Sequence, residues 1–281
     1  MDFVIKESFI QGKSSIDACE DGRIVTADYV AVVDGATSKS NFEIEGSTPG
    51  RKAMEIILEE ISKLSPGLSV FDAITFINEG IIRYYKMHHI LDEVSRFPEM
   101  RLTASAAVYC HSRNEVWLIG DCQCRIGEIC FQNNKKVDRV LSEMRALVLY
   151  SALQKGFSIK SLRKNDIGRH FIYPMLKQQY VWQNNLNSHS EYCYTVLDGF
   201  PVDPSQVHII PVDSHSVVLA TDGYFDLFGT LRETECVLLN QIENDPLCIG
   251  MGYNNVNMST KGVIPGNYSF DDRTYVRICR L

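Results

Sequence analysis

The chain has 281 residues, of which 45% are hydrophobic and 22% charged, with a formal net charge of −7. Such a length can bury a sizeable core in one large domain or two small ones, and the composition speaks against a chain dominated by disorder. The acidic balance, with no dense Lys/Arg stripe interleaved with aromatics, speaks against a nucleic-acid footprint.

Asp2, Lys6 and Glu7 interrupt the apolar residues at the start, so no signal peptide is expected. No window reaches the roughly 18 apolar residues of a membrane span. A cytoplasmic protein that binds no membrane follows as the expectation. The nine cysteines, from Cys19 to Cys279, are odd in number and sit mostly in apolar segments, which suits reduced core thiols. Cys122, Cys124 and Cys130 lie close in sequence, but no C-x-x-C pair or second ligand pair supports a zinc site.

Residues 1–35 read as strands: FVIKESFI, then a polar stretch holding Glu20-Asp21, then YVAVVDG from Tyr29 to Gly35. Asp17, Asp21, Gly22 and Asp28 match some positions of an EF-hand loop. Cys19 occupies a ligand position and the flanks read as strand, so that motif is rejected. Gly12-Lys13-Ser14 resembles the end of a phosphate-binding loop, but Glu7 stands where its first glycine belongs.

Thr48-Pro49 supplies a capping hydroxyl and a first-turn proline, and Met54, Ile57, Leu58, Ile61 and Leu64 follow at helical spacing. A second amphipathic helix begins near Ser69, with Ile74, Ile77, Ile81 and Tyr85 on one side. His88-His89 lies at its end, and adjacent histidines do not share a helix face, so no metal role is expected of them. Thr103–Tyr109 and Glu115–Ile119 read as a hairpin that leads into Asp121. Residues 141–183 turn helical, with a basic break at Lys160–Lys164. Strands are expected again at Glu191–Leu197, Val207–Ile210 and Ser216–Ala220, a helix at Leu231–Ile242, and a last strand at Thr274–Cys279. The Gly/Asn segment Gly250–Gly266 is the candidate mobile loop. No repeat or linker divides the chain, which favours one domain over 1–281.

Three apolar runs end in an acid: YVAVVDG at Asp34, VWLIGD at Asp121 and VVLATDG at Asp222. An isolated Asp-Gly is ordinarily a turn, as is expected of Asp198-Gly199. A carboxylate at the end of a buried strand must instead be neutralised, hydrogen-bonded or bound to a cation. Glu20-Asp21 and Asp271-Asp272 flank strand-like segments near the two chain ends. If Glu20, Asp21, Asp34, Asp121, Asp222 and Asp271 converge, they form an all-oxygen site for Mg²⁺ or Mn²⁺. Two such ions can hold a hydroxide between them and clamp a phosphoryl group for in-line attack, with no protein nucleophile. The absence of G-x-S-x-G and H-E-x-x-H motifs fits that chemistry.

Read in order, Cys19-Glu20-Asp21, Val33-Asp34-Gly35, Thr103-Ala104 leading to Gly120-Asp121, Thr221-Asp222-Gly223 and Asp271-Asp272-Arg273-Thr274 resemble the motifs of the PP2C-type metal-dependent Ser/Thr protein phosphatases. Each is short; their order and spread over nearly the whole length carry the resemblance. It implies an α+β fold, a four-layer α-β-β-α sandwich of two antiparallel sheets flanked by helices, with metals in a cleft at one end. By similarity Asp34 would bridge two ions, with the Gly35 carbonyl on one, and Asp222 and Asp271 would bind the second. Glu20 and Asp21 would act through waters, Asp121 with Asp222 would hold a third ion, and Asp21 and Asp34 would be the catalytic pair. The implied substrate is a protein carrying phosphoserine or phosphothreonine.

The chain departs from that family in the shell that grips phosphate. Ile16 stands where an arginine is common, with only Lys13 nearby, Ala36 replaces a histidine found after Asp-Gly in some members, and Arg101 replaces a glycine. Three other readings stay open: a binding or sensor module of the same fold with decayed catalysis, a hydrolase of a small phosphorylated metabolite, and scattered turn acids in an unrelated α+β domain.

Overall fold

A computed structural model describes residues 3–37, 39, 46–133, 135–252 and 256–281. Its strands are β1 (Phe3–Gln11), β2 (Asp21–Val25), β3 (Tyr29–Gly35), β4 (Ala104–Cys110), β5 (Glu115–Ile119), β6 (Gln123–Ile126), β7 (Ile129–Gln132), β8 (His208–Pro211), β9 (Ser216–Ala220) and β10 (Arg273–Arg280). The α-helices are α1 (Pro49–Ser62), α2 (Val70–Met87), α3 (Leu91–Arg96), α4 (Lys136–Gln154), α5 (Ile159–Lys164), α6 (Ile167–Gln178) and α7 (Leu231–Asn244).

Two five-stranded sheets result, in the orders β1-β10-β9-β6-β7 and β2-β3-β4-β5-β8. Every pairing is antiparallel. The period-two alternation of strand side chains sorts the core into layers. On β3, Val30 and Val32 meet Val217, Leu219, Val276 and Ile278 of the other sheet, while Tyr29, Ala31 and Val33 face helices. Those helices are α1 and α2, whose Ile57, Ile61, Ile74, Ile77, Ile81 and Tyr85 are buried as the helical spacing predicts. On the opposite face Val218, Ala220 and Tyr275 pack under Leu238 and Ile242 of α7. The layers are therefore α-β-β-α, as expected. Each fully buried aliphatic side chain contributes roughly 1.5–3 kcal/mol of transfer free energy, so this layering dominates the stability.

Helices α1 and α2 start where the sequence predicts, because Thr48 and Ser69 accept hydrogen bonds from the backbones of Arg51 and Asp72. Three expectations change. Glu191–Leu197 alternates like a strand but forms only isolated bridges, Gln183 to Tyr194 and Ala104 to Leu197. Lys160–Lys164 lies inside the short helix α5, which Ser158 caps. The hairpin of β6 and β7 was not foreseen; it turns at Gly127, whose φ is +57°. Within Gly250–Gly266, residues 253–255 lie outside the described residues. The flanking residues are tied by the Ile249–Met258 bridge and the Val263 N–H to Pro246 carbonyl bond. Among the described residues no helix is long and apolar enough to cross a membrane.

Candidate metal centre

β3 ends by placing Asp34 directly opposite Asp21 of β2 and opposite Ser105 of β4. Alternation puts Asp34 on the same side as Val30 and Val32, so its carboxylate points between the sheets. Asp121 lies at the crossover from β5 to β6, and the Ser105 hydroxyl donates to its Oδ1. Asp222 follows β9 on the facing sheet. One carboxylate oxygen from each of Asp34, Asp121 and Asp222 lies within 4.8 Å of the other two. Strand ends that the sequence singled out separately do meet.

These acids open into a cavity of about 570 Å³ lined also by Gly35 and Asp271. Asp271 is held on one oxygen by Lys13 Nζ at 3.5 Å and on the other by Lys261 Nζ. Glu20 and Asp21 are buried and do not line the cavity. Glu20 accepts from the hydroxyls of Thr37 and Thr48, each at 2.6 Å. Asp21 Oδ2 accepts from Thr221 Oγ1 at 2.6 Å and Thr274 Oγ1 at 3.0 Å. Direct convergence thus covers three of the six predicted acids, with Asp271 on the same wall and Glu20 and Asp21 behind it.

The charges are unevenly balanced. Burial pushes the Asp34 carboxyl well above its usual range, and Asp21, Asp121 and Asp271 add repulsion. Asp222 is raised in the same way, by burial and then by Asp34, Asp271 and Asp121. Burial also raises Asp21. Burial would lift Asp121 too, but Lys135 Nζ at 2.7 Å from its Oδ2 holds it low. Asp271 is likewise held low against burial by Lys261 and Lys13. Two acids are matched by lysines and two are left in excess, which is the condition a hard divalent cation relieves. The donor set, carboxylates converging with Asp34 and Asp222 unbalanced, fits Mg²⁺ or Mn²⁺.

The glycines beside the acids serve closeness of approach. A Cβ on Gly35 would stand 2.3 Å from the Gly50 carbonyl oxygen, and one on Gly223 only 2.0 Å from that of Asp272. Gly223→Ala should therefore destabilise the fold by about 3 kcal/mol, the upper end for overpacking, since backbone on both sides cannot yield. Urea unfolding checks this, and an unchanged midpoint would refute the close approach.

The residues that depart from the resemblance have visible surroundings. Ile16 is 53% exposed, and Ala36 lines the cavity without a proton to offer. Lys13 cannot stand in as a phosphate grip, because Glu20, Asp271 and Asp272 hold its ammonium at 3.6, 3.5 and 3.0 Å. Arg101 pairs with the fully buried Asp198 at 3.0 Å and covers the Phe200 ring at 3.8 Å. Asp198 also accepts from the Phe200 N–H beside Gly199, whose φ is +89°, so the expected turn is present and doubles as a polar hub. Asp28, the last EF-hand position, instead accepts from the backbones of Gly67 and Ser112.

Sequence reasoning missed Lys135, which no motif singled out, and Lys261, which lies within the segment read as a mobile loop. It also treated Asp272 as a flank, whereas that carboxylate accepts from the backbones of Lys13 and Glu20 at 2.7 and 3.1 Å. The doubled acid was a signal for both positions. The cysteines are all free, and none joins the acid cluster.

No protein-family model matches the chain, and no curated protein sequence matches it. Among solved structures it is similar to the serine/threonine phosphatase PstP/Ppp of Mycobacterium tuberculosis, with 14% identity and a TM-score of 0.45 over 100% of this chain and 99% of that one. The catalytic domain of PstP in complex with two manganese ions gives 14% identity and a TM-score of 0.48, covering 99% of this chain and 98% of that one. PppA, a regulatory component of T6SS in Pseudomonas aeruginosa, gives 11% identity and a TM-score of 0.48, covering 100% and 99%.

Proposed function

We propose that the chain is one domain that acts as a Mg²⁺- or Mn²⁺-dependent phosphatase on phosphoserine or phosphothreonine in proteins. The observation that carries this is the meeting of Asp34, Asp121 and Asp222 within 4.8 Å, from both sheets, at a polar cavity. These three would hold the ions, with Asp271 and the Gly35 carbonyl beside them; two ions are the minimum and a third the upper count. The chemistry a divalent cation supplies there is Lewis acidity toward water and phosphoryl oxygens. In the catalytic pair Asp34 would act at the cavity, and Asp21, opposite it in register but behind the wall, would act through a water. Asp21 keeps its place through two threonine hydroxyls, and Glu20 through two more. Lys135 and Lys261 limit the repulsion at Asp121 and Asp271. Ala36 brings no proton donor next to Gly35, so the leaving alkoxide takes its proton from solvent. The nine free thiols suit a reducing, cytoplasmic setting.

A second reading has its own observation. Lys135 and Lys261 already occupy Asp121 and Asp271, as they would in a sensor or binding module whose catalysis has decayed. One assay separates the two: phosphate release from a phosphothreonine peptide in EDTA, Mg²⁺ or Mn²⁺, for wild type and Asp222→Asn. Metal-dependent turnover that falls at least a hundredfold in the variant is the expected result. A folded wild type that releases no phosphate with either metal overturns the phosphatase.

A further inference from the structure

The cavity has a second, cationic wall that the hydrolytic reading leaves unused. Arg169 and Tyr173 on α6, Leu176 one turn on, and Tyr180 just beyond its end recur at helical spacing, so they form one stripe. Arg169, Leu176 and Tyr180 line the cavity. The backbone of Lys39 is clamped to this stripe from both sides. The Tyr173 hydroxyl donates to the Lys39 carbonyl at 3.4 Å, and the Lys39 N–H donates to the Tyr180 hydroxyl. The Lys39 ammonium donates to the Thr37 carbonyl, and the side chain lines the same cavity.

Arg169 extends the wall toward the acids. Its Nη1 donates to the Thr260 carbonyl and hydroxyl at 2.7 and 2.9 Å, which fixes the neighbouring Lys261 at the cavity edge. Lys261 is paired with Asp271. Among the described residues, Lys39 and Arg169 form no ion pair with a carboxylate. Burial first, then Lys261 and Arg169, lower the Lys39 ammonium to about 7, against a smaller opposing pull from Asp138 and Asp271. Burial and Arg145 lower Arg169. Asp138 and Asp271 act on both cations from a distance without pairing with either, so cations crowded on the wall of a polar cavity gain from a bound oxyanion.

We propose that Lys39 and Arg169 form an oxyanion subsite on the α6 wall that takes the phosphoryl group of a phosphate monoester. The identity of that ligand rests on the phosphatase reading; the existence of an anion site does not. Substrate would then be gripped from the α6 side of the cavity while the carboxylates face its ester. Arg169 offers a planar fork to phosphoryl oxygens, and Lys39 a single ammonium held on a clamped backbone.

The test uses the EDTA-treated full chain titrated with inorganic phosphate by calorimetry and ³¹P NMR. Saturable binding is expected, weakened at least tenfold in Lys39→Ala and in Arg169→Ala and kept in Lys39→Arg. Asp222→Asn should bind phosphate at least as well as wild type in EDTA, since it loses a negative charge. A wild type that binds no phosphate saturably, or folded Lys39→Ala and Arg169→Ala proteins that bind as wild type does, overturns the subsite. If either alanine variant fails to fold by circular dichroism, Lys39→Met and Arg169→Gln take its place under the same criterion. An enzyme without turnover that still shows Lys39-dependent phosphate binding refutes hydrolysis and upholds the subsite.

A pH series with sulfate, a dianion throughout, adds a signature that a structural role would not produce. The charged and titratable groups around Lys39 are Lys261, Arg169, Asp138 of α4, Asp271 and the hydroxyls of Tyr173 and Tyr180. Sulfate affinity should fall as pH rises through about 7, and fall more steeply in wild type than in Lys39→Arg, where only the carboxylates of the cavity still titrate. Displacement of bound phosphate by a phosphothreonine peptide but not by glycerol phosphate would identify a protein as the source of the phosphoryl group, and the reverse a small metabolite.

Discussion

Mn²⁺ added to the EDTA-treated protein should raise its thermal midpoint by about 5–10 °C, and Asp34→Asn should remove most of that rise. Saturating a site a hundredfold above its dissociation constant adds about 2.7 kcal/mol, and one kcal/mol shifts the midpoint of a chain this large by about 2–4 °C. The pH dependence of the metal-free protein carries the sign. Asp34 and Asp222 have folded-state values raised by burial and by neighbouring carboxylates, so they favour the fold while protonated. That contribution is complete below the unfolded carboxylate range, near pH 4, and is lost as pH rises through their raised values. Asp121 and Asp271 are lowered and act oppositely, with their stabilisation lost only as pH falls below the ordinary carboxylate range. Metal-free protein should therefore lose stability from pH 4 upward, and Mn²⁺ should flatten that slope. Asp34→Asn in EDTA should be at least as stable as wild type at pH 8. A midpoint indifferent to Mn²⁺ at every pH would refute a cation site at these acids.

Arg145→Ala should cost about 3–5 kcal/mol, the range for removing one partner of a buried ion pair. Arg145 is fully buried on α4, an unusual place for a guanidinium. Its Nε and Nη2 donate to Asp166 Oδ2 at 2.9 and 2.7 Å, and Asp166 in turn caps α6 through the Arg169 N–H at 2.7 Å. The remaining donors reach the carbonyls of Leu247, Ser259 and Cys248 at 2.8, 2.9 and 3.4 Å. One side chain thus ties α4, the start of α6 and the segment leading to Lys261 into a single wall of the cavity. Its loss removes the donors to one Asp166 oxygen and to the Leu247 and Ser259 carbonyls at once, while the Cys248 carbonyl keeps the Ser259 N–H. Lys would restore the charge but not the fork, so Arg145→Lys should recover less than half of the loss. Denaturant unfolding of the three proteins checks this; an Arg145→Ala change below 1 kcal/mol would contradict the network.

The sandwich was most legible where strands are buried on both faces, because such strands read as unbroken apolar runs. YVAVVDG became β3 without a shifted residue, and the Ser216–Ala220 strand was bounded correctly. Helix starts were legible because Thr48 and Ser69 cap them locally. Legibility failed where a partner lies far along the chain. Tyr194 and Val196 alternate as in a strand, yet they pack against Val137, Leu141, Ile172 and Leu176 of α4 and α6, and no ladder partner accompanies them. Lys135 and Lys261 look solvated until Asp121 and Asp271 are seen beside them. Arg145 sits among apolar positions of α4 and gives no local hint of the carbonyls it meets. Gly223 does lie in a turn after β9, but what demands glycine there is the Asp272 carbonyl passing so close, which no local sequence signal reveals.

Asp34 belongs to one sheet, Asp222 to the other, and Asp121 to the strap between them. Among the described residues the two sheets share no hydrogen-bonded ladder, so layer against layer they resist shear through interlocking side chains, the Asp21 bonds to Thr221 and Thr274, and the Arg23 bond to Ser8. An ion gripped by these three carboxylates would be a rivet driven through both layers at one end of the sandwich. Loading it would stiffen that end first, and amide exchange at the last residues of β3 and β9 would slow while the far ends kept their pace.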